Sequence, residues 1–170
     1  MFDEKKYRIS LLGEFIDKSM EDKFLSDSLS GSSKITSYTT LMFGFILGLF
    51  LVNGYLVDER TNSFTNIIFI RLLFVCVSIT VFIITKKITN HKNLIYIITA
   101  YQVIMAISYL FTLKQYDLLN YFSILGLMVI TLAIYLLPNK IMFSQIITIV
   151  FSILFFLYNC QKFEGLKSHE

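Results

Sequence analysis

Four stretches of the chain contain no Asp, Glu, Lys or Arg, and each is about as long as a membrane-crossing helix. They number 23, 21, 22 and 21 residues and cover 35–57, 93–113, 118–139 and 141–161. A helix rises about 1.5 Å per residue, so a hydrocarbon layer of roughly 30 Å needs about 20 residues. Helices buried in soluble proteins seldom repeat this length in succession. We therefore expect the chain to lie in a lipid bilayer.

The pattern of apolar residues favours helices over a barrel. Hydrophobic residues make up 55% of the chain and charged residues 16%, which fits poorly with a water-exposed surface. Lipid offers the backbone no hydrogen bonds, so helices and closed barrels are the spanning structures available. Residues 146–157 are apolar nearly all round, whereas barrel strands alternate. A fifth stretch, Thr61–Thr85, is long enough to span but includes Arg71.

These observations predict an all-α fold, a polytopic transmembrane helical bundle of about five spans. The bundle occupies residues 35–161, between a cytoplasmic leader at 1–34 and a short tail at 162–170. The spans are expected near residues 37–57, 65–85, 93–113, 118–137 and 141–160. Pro138 and Asn139 form a turn signal, which makes the last two spans an antiparallel hairpin.

The leader has a helical pattern of its own. Apolar residues recur with the period of a helix between Tyr7 and Leu25, which predicts an amphipathic helix. We expect it to end in the serine-rich stretch 26–33. Seven acids offset six bases over residues 1–34, so packing on the protein and lying on the membrane both remain open. The start of the chain has no long apolar run, so no cleavable signal peptide is expected.

The distribution of Lys and Arg predicts the orientation. Seven of these residues flank the spans on one side and four on the other. By the positive-inside rule the richer side faces the cytoplasm, so the N-terminus lies inside and, after five spans, the C-terminus lies outside the cell membrane. We interpret the loop of residues 86–92 mainly as a topology determinant, with a lipid-headgroup site as the alternative. The tail of residues 162–170 is too short to form a domain outside the cell, and a sixth helix would return the chain to the inside. We therefore expect this chain to be part of a longer protein.

Arg71 is the most informative single residue. It lies about one and a half turns inside the outer end of the second span, where an isolated charge costs roughly a few kcal/mol. Asp58 and Asp117 are candidate partners from the same side, and Asn53 completes the predicted ligand-binding cluster. The alternative is a boundary anchor without a ligand, because snorkelling alone satisfies the charge.

Several kinds of function find no motif in the sequence. His91 and His169 fall on opposite sides of the membrane, and the seven glycines are scattered, so no metal, cofactor or catalytic site is predicted. Nothing indicates nucleic-acid recognition.

The two cysteines and two of the glycines have structural interpretations. Cys76 lies at a different depth from Cys160, which argues against a disulfide. Gly44 and Gly48 form a small-xxx-small pair, for which packing within the chain is favoured over a dimer seam.

The order of landmarks resembles a known membrane region. A charged leader with Glu14 and Phe15, the sequence Asn-Gly-Tyr-Leu-Val-Asp at residues 53–58, and Ile-Arg-Leu at residues 70–72 are followed by evenly spaced hairpins. This arrangement is similar to the N-terminal six-helix sensor module of bacterial adenylate/guanylate cyclases and GGDEF diguanylate cyclases. The resemblance covers most of residues 10–160 and carries over Arg71 first and Asp58 next. The sixth span, the cyclase domain and the Gly-Gly-Asp-Glu-Phe motif have no counterpart in this sequence.

The resemblance implies a membrane-embedded sensory domain that responds to a small or lipidic ligand and regulates a cytoplasmic nucleotide cyclase, as a homodimer. These residues themselves are not expected to be an enzyme. The alternative is a stand-alone small integral membrane protein, either a transporter subunit or an accessory factor. A transporter should place polar residues near the midplane or show repeated, interrupted helices. Gln102 and Gln145 are the only larger polar residues in the middle of the spans, which does not predict a convincing pathway.

Overall fold

A computed structural model describes residues 9–10, 14–57, 62–115 and 121–167, with the backbone alone at 47, 50–57, 62–67, 115, 121–123 and 162–167. Over these residues the chain forms six helices and no strand, apart from one β-bridge between Ile9 and Phe15. The helices are α1 Lys18–Asp27, α2 Leu29–Val57, α3 Asn62–Thr85, α4 His91–Gln115, α5 Tyr121–Leu136 and α6 Ile141–Lys167. The predicted all-α class is confirmed over this part of the chain.

Three helices in the described part of the chain are long and apolar enough to cross a membrane. The candidate spanning segments are Ile68–Thr85, His91–Lys114 and Ile141–Gln161. Helix α5 has 16 residues and is therefore about 24 Å long, which is less than the roughly 30 Å of a hydrocarbon layer. Helix α2 has 29 residues, but part of it is described by its backbone alone. Three helices of the described part are thus long and apolar enough to span, and the count of five spans stays a prediction.

The outer surface of the bundle is apolar. Large hydrophobic side chains stand exposed along every long helix, for example Phe45, Leu132 and Phe156 at 66%, 68% and 65%. Soluble monomers rarely expose apolar area so continuously. The buried core is also apolar and brings together α3, α4 and α5 around Phe74 and Ile98. Apolar residues inside and outside are what a bundle surrounded by lipid requires.

The leader helix is shorter than predicted. It begins at Lys18, whereas the apolar periodicity placed its start near Tyr7; residues 1–8 and 11–13 lie outside the described part. The Asp17 carboxylate caps the helix by accepting a 2.9 Å hydrogen bond from the Ser19 amide. Before this cap, the Phe15 amide donates to the Glu21 carboxylate at 3.0 Å, which fixes a turn instead of a helix. Local polar contacts therefore override the apolar pattern.

The predicted end of the leader helix is confirmed, but the serine-rich stretch is mostly helical. Helix α1 ends at Asp27 with Ser28 as its C-cap, and α2 begins at the next residue. No residue of α1 is buried. It nevertheless touches the bundle, because the Asp22 carboxylate lies 3.7 Å from Nε2 of His91 at the start of α4. At that separation the pair attracts only when the imidazole is protonated.

Helices α2, α3 and α4 run antiparallel in sequence. The Ser37 hydroxyl hydrogen-bonds the Thr85 hydroxyl at 2.7 Å. Seven residues further along α2, Gly44 packs against Ser78, which lies seven residues before Thr85 in α3. Ser78 in turn bonds the Tyr101 hydroxyl at 3.0 Å across the next interface. The start of α2, the end of α3 and the start of α4 thus share one end of the bundle. We call this the lysine-rich end, because Lys34, Lys86, Lys87 and Lys92 flank the helices there.

Helix α6 runs parallel to α4 but is shifted along it. Gln102 bonds Ser144, 42 positions later, and the rings of Tyr109 and Phe151, also 42 positions apart, lie 6.0 Å from each other. By this offset the first residue of α6 is level with Thr99, eight residues after the start of α4. Eight residues correspond to about 12 Å. The predicted turn between α5 and α6 is therefore confirmed, but it lies deeper in the bundle than the other loop at that end.

Candidate functional site

An interhelical cavity of about 450 Å³ opens between α2, α3, α4 and α5. Its walls are mostly apolar, with Phe43 from α2, Phe74 from α3, Met105 from α4 and Val129 from α5 among them. Ligand pockets for small molecules typically measure about 300–1,000 Å³ and combine apolar walls with a few polar groups. The size and lining of this cavity match that description.

The polar groups of the cavity come from two neighbouring helices. Arg71 of α3 lies on the wall, together with Ser108, Tyr109 and Thr112 of α4. Since α3 and α4 are antiparallel and Ser78 is level with Tyr101, Arg71 is nearly level with Ser108. The charge and the hydroxyls therefore gather in the half of the cavity remote from the lysine-rich end. An amphipathic molecule would place its polar group there and its apolar part against the core.

Gly126 shapes one wall of the cavity. A Cβ atom at this position would collide with the phenol ring of Tyr109, because that ring lies directly on the glycine. The same ring packs edge to face with the ring of Phe151, at 6.0 Å between their centres. Glycine at 126 thus sets how closely α5 approaches α4, and this in turn sets the orientation of Tyr109.

The structure shows one member of the predicted cluster of Arg71, Asp58, Asp117 and Asn53. Arg71 is partly buried and lies on the cavity wall. Asp58 and Asp117 lie outside the described residues, and Asn53 is described by its backbone alone. The predicted pairing of Arg71 with a carboxylate stays a prediction.

Sequence reasoning missed the other residues that line the cavity with Arg71. Ser108 and Thr112 are spaced one turn apart on α4, and the Thr112 hydroxyl donates to the Ser108 carbonyl at 2.8 Å. This spacing was a usable signal for a polar stripe. Tyr109 and Gly126 gave no such signal, because an aromatic residue and a single glycine are common in membrane helices.

A second buried polar group connects α4 with the turn between α5 and α6. The Gln102 side chain is fully buried and donates to the Ile134 carbonyl at 2.8 Å and to the Ser144 hydroxyl at 3.1 Å. Its own carbonyl accepts a 2.7 Å hydrogen bond from the Asn139 amide, which also donates to the Thr99 hydroxyl at 2.9 Å. Each polar group of the glutamine has a partner, so this network is accounted for by folding.

The Ile134 carbonyl explains why Gln102 is needed. In a continuing helix this carbonyl would accept from the amide of residue 138, but Pro138 has no N–H. The Gln102 amide replaces the missing donor. The proline that makes the turn therefore creates the requirement that the glutamine meets.

The described part of the chain contains neither a candidate metal site nor a disulfide. No group of three or more His, Cys, Asp or Glu gathers there in a way that could hold a metal ion. Cys76 and Cys160 are both free thiols and both exposed at the surface of the bundle. Gly44, of the predicted glycine pair, packs inside the chain against Ser78, whereas Gly48 has open space beside it.

Comparisons with known proteins give no relative from which a function could be transferred: no protein-family model, curated protein or solved structure matches the chain. The similarity to the sensor module of nucleotide cyclases therefore stays a hypothesis.

Proposed function

We propose that the chain is a membrane-embedded sensory domain that binds a small amphipathic anion in the cavity beside Arg71. The observation that carries the proposal is the position of this cation on the wall of a mostly apolar cavity. An arginine offers a planar pair of donors that suits a carboxylate or phosphate. The apolar walls suit a hydrocarbon tail.

The proposed ligand would act by shifting the population of two helix arrangements. The cavity lies where α5 faces α2, α3 and α4. A ligand that fills this space favours the arrangement in which the helices close on it, and it shifts the equilibrium by its difference in affinity for the two arrangements. In the sensor module that the sequence resembles, such a shift is passed to a cytoplasmic cyclase.

The proposed topology has five spans in the cell (inner) membrane, with the N-terminus in the cytoplasm. Three spanning helices support this, as does the antiparallel order of α2, α3 and α4. The lysine-rich end would face the cytoplasm by the positive-inside rule. Helix α5 would cross with the help of the deep turn at Pro138, whose polar groups are satisfied by Gln102. A second copy of the chain is proposed as a partner on the strength of the resemblance.

Direct binding of a single-chain carboxylate tests the ligand proposal. A labelled twelve-carbon carboxylate would be titrated into the protein in nanodiscs, with the alcohol of the same length as the uncharged comparison. Arg71→Gln should weaken carboxylate binding by roughly 10- to 100-fold, which corresponds to about 1.5–3 kcal/mol for a hydrogen bond to a charged group. The carboxylate affinity of Arg71→Lys should fall between those of the wild type and Arg71→Gln, because lysine keeps the charge without the planar donors.

Lys114→Gln is the matched control. Lys114 lies on α4 at the same end as Arg71, is exposed and does not line the cavity. It should leave carboxylate affinity unchanged. Equal affinity of the wild-type protein for carboxylate and alcohol would overturn the proposal, as would equal losses in the Arg71 and Lys114 variants.

The link to a cyclase is tested separately. The coding sequence that follows Glu170 should continue in frame into a sixth span and a nucleotide cyclase domain. A stop codon at that point would favour the alternative of a stand-alone membrane protein. Substrate-dependent flux through the purified protein in liposomes would then identify a transporter.

A further inference from the structure

A second cavity, of about 440 Å³, lies at the lysine-rich end between the start of α2 and the end of α3. Its lining includes two lysines, Lys34 and Lys86, and the hydroxyl-bearing residues Ser30 and Tyr38. The apolar side chain of Ile88 forms part of the wall. The cavity therefore combines hydrogen-bond donors and two cationic side chains with apolar surface.

Hydrogen bonds between the two helices fix the floor of this cavity. The Ser33 hydroxyl donates to the Thr85 carbonyl at 2.5 Å, and the Ser37 hydroxyl bonds the Thr85 hydroxyl at 2.7 Å. Ser33 and Ser37 also line the cavity. Because these hydrogen bonds join α2 to α3, they hold the residues that line the cavity from the two helices in a fixed relative position.

The cationic groups are not neutralised by the described part of the protein. No carboxylate of the described residues lies within ion-pair distance of Lys34 or Lys86. The Lys86 ammonium lies 4.1 Å from the centre of the Phe82 ring, which orients it without cancelling its charge. Because both lysines line one cavity, an anion bound there would be attracted by two positive charges.

We propose that this cavity binds the phosphate group of an anionic phospholipid. Ammonium and hydroxyl donors are the groups that bind a phosphodiester. Lys34 directly precedes a charge-free stretch and Lys86 directly follows the spanning segment that ends at Thr85, so the cavity lies at the membrane boundary. Basic residues at this depth attract anionic headgroups.

The surroundings of the cavity indicate a lipid rather than free phosphate as the source. Tyr38 is 70% exposed, and tyrosines concentrate at the level of lipid headgroups. Exposed apolar side chains follow on the same helix at Leu41, Met42 and Phe45. They offer a surface for acyl chains below the headgroup. Free phosphate would use the donors but none of this apolar surface.

Native mass spectrometry of the full chain, released from detergent, measures this binding directly. Phosphatidylglycerol should bind more tightly than phosphatidylcholine of the same chain length. Lys34→Gln and Lys86→Gln should each weaken phosphatidylglycerol binding about fivefold, the equivalent of roughly 1 kcal/mol per basic residue near anionic lipid. The double variant should lose about 25-fold by the same reasoning, and Lys86→Arg should retain binding.

Lys87→Gln is the control, because Lys87 is exposed in the same loop and does not line the cavity. It should leave affinity unchanged; a loss equal to that of Lys86→Gln would show general surface attraction and overturn the site. Inorganic phosphate is added as a competitor in a second series. Competition at millimolar phosphate that abolishes lipid binding would contradict a lipid as the source, whereas persistence of the lipid adduct supports it.

Discussion

Replacement of Gln102 by leucine should destabilise the bundle even though it makes the chain more hydrophobic. The substitution removes the two hydrogen bonds that the glutamine donates, to the Ile134 carbonyl and the Ser144 hydroxyl, and the one that it accepts from Asn139. The Ile134 carbonyl would have no replacement donor in its own helix, because Pro138 lacks an N–H. It would be left unsatisfied in a buried site.

The magnitude follows from these three bonds. Side-chain hydrogen bonds between membrane helices average about 0.6 kcal/mol, so three are worth roughly 1.8 kcal/mol. An unsatisfied buried carbonyl costs about 1–3 kcal/mol, part of which is the same loss counted from the acceptor side. We expect Gln102→Leu to lower the free energy of unfolding by about 2–3 kcal/mol.

Gln145→Leu is the matched comparison, since Gln145 is only partly buried and makes no side-chain hydrogen bond to the described residues. Its effect should stay within about 0.5 kcal/mol. Unfolding by sodium dodecyl sulfate in mixed micelles, followed by circular dichroism, measures both variants. Pro138→Ala should reduce the loss of unfolding free energy caused by Gln102→Leu. Alanine at position 138 supplies a backbone N–H that can donate to the Ile134 carbonyl. Equal stability of the two leucine variants would refute this account of the turn.

Three further predictions concern the glycines and Arg71. Gly44→Ala should destabilise the bundle by about 1–2 kcal/mol in the same unfolding assay, because its Cβ would lie 2.8 Å from a neighbouring side chain. Gly48→Ala should be neutral or stabilising, because the space beside it is open. The reverse order of stabilities would contradict the close contact between α2 and α3 at Gly44. Gly126→Ala should reduce carboxylate affinity by about tenfold or more, because the phenol ring packed on it must move into the cavity; unchanged affinity in the nanodisc titration would separate that ring from the site. Arg71→Leu and Asp58→Asn should be non-additive by about 1 kcal/mol in thermal unfolding, and additive effects would exclude their pairing.

Much of the fold was predictable because membrane helices are bounded by charges and turns. The ends of α3 and α4 fall within three residues of the predicted spans, at Thr85 before two lysines and at His91 after the loop. Pro138 gave the last turn for a simple reason, since a proline has no amide to continue a helix. These features act locally, so the sequence alone reveals them.

The depth of that turn and the lining of the cavity were not predictable in the same way. Gln102 was recognised as an unusual mid-span residue, but only the packing of α4 against the turn shows that it replaces the donor missing at Pro138. Arg71 was recognised by its charge, whereas Tyr109 joins the site through its position opposite Gly126. Such relations depend on how helices are rotated and shifted against one another. A uniformly apolar helix carries little sequence information about either.

The membrane topology is the property on which the sensory proposal depends most, and reporter fusions measure it directly. Each fusion would join a protein fluorescent only in the cytoplasm, or a phosphatase active only outside it, after Lys87, Lys114, Lys140 or Glu170. Five spans predict fluorescence after Lys87 and Lys140 and phosphatase activity after Lys114 and Glu170. Helix α5 decides the outcome, because it is the shortest of the proposed spans. Phosphatase activity after Lys140, or fluorescence after Glu170, would contradict the five-span bundle.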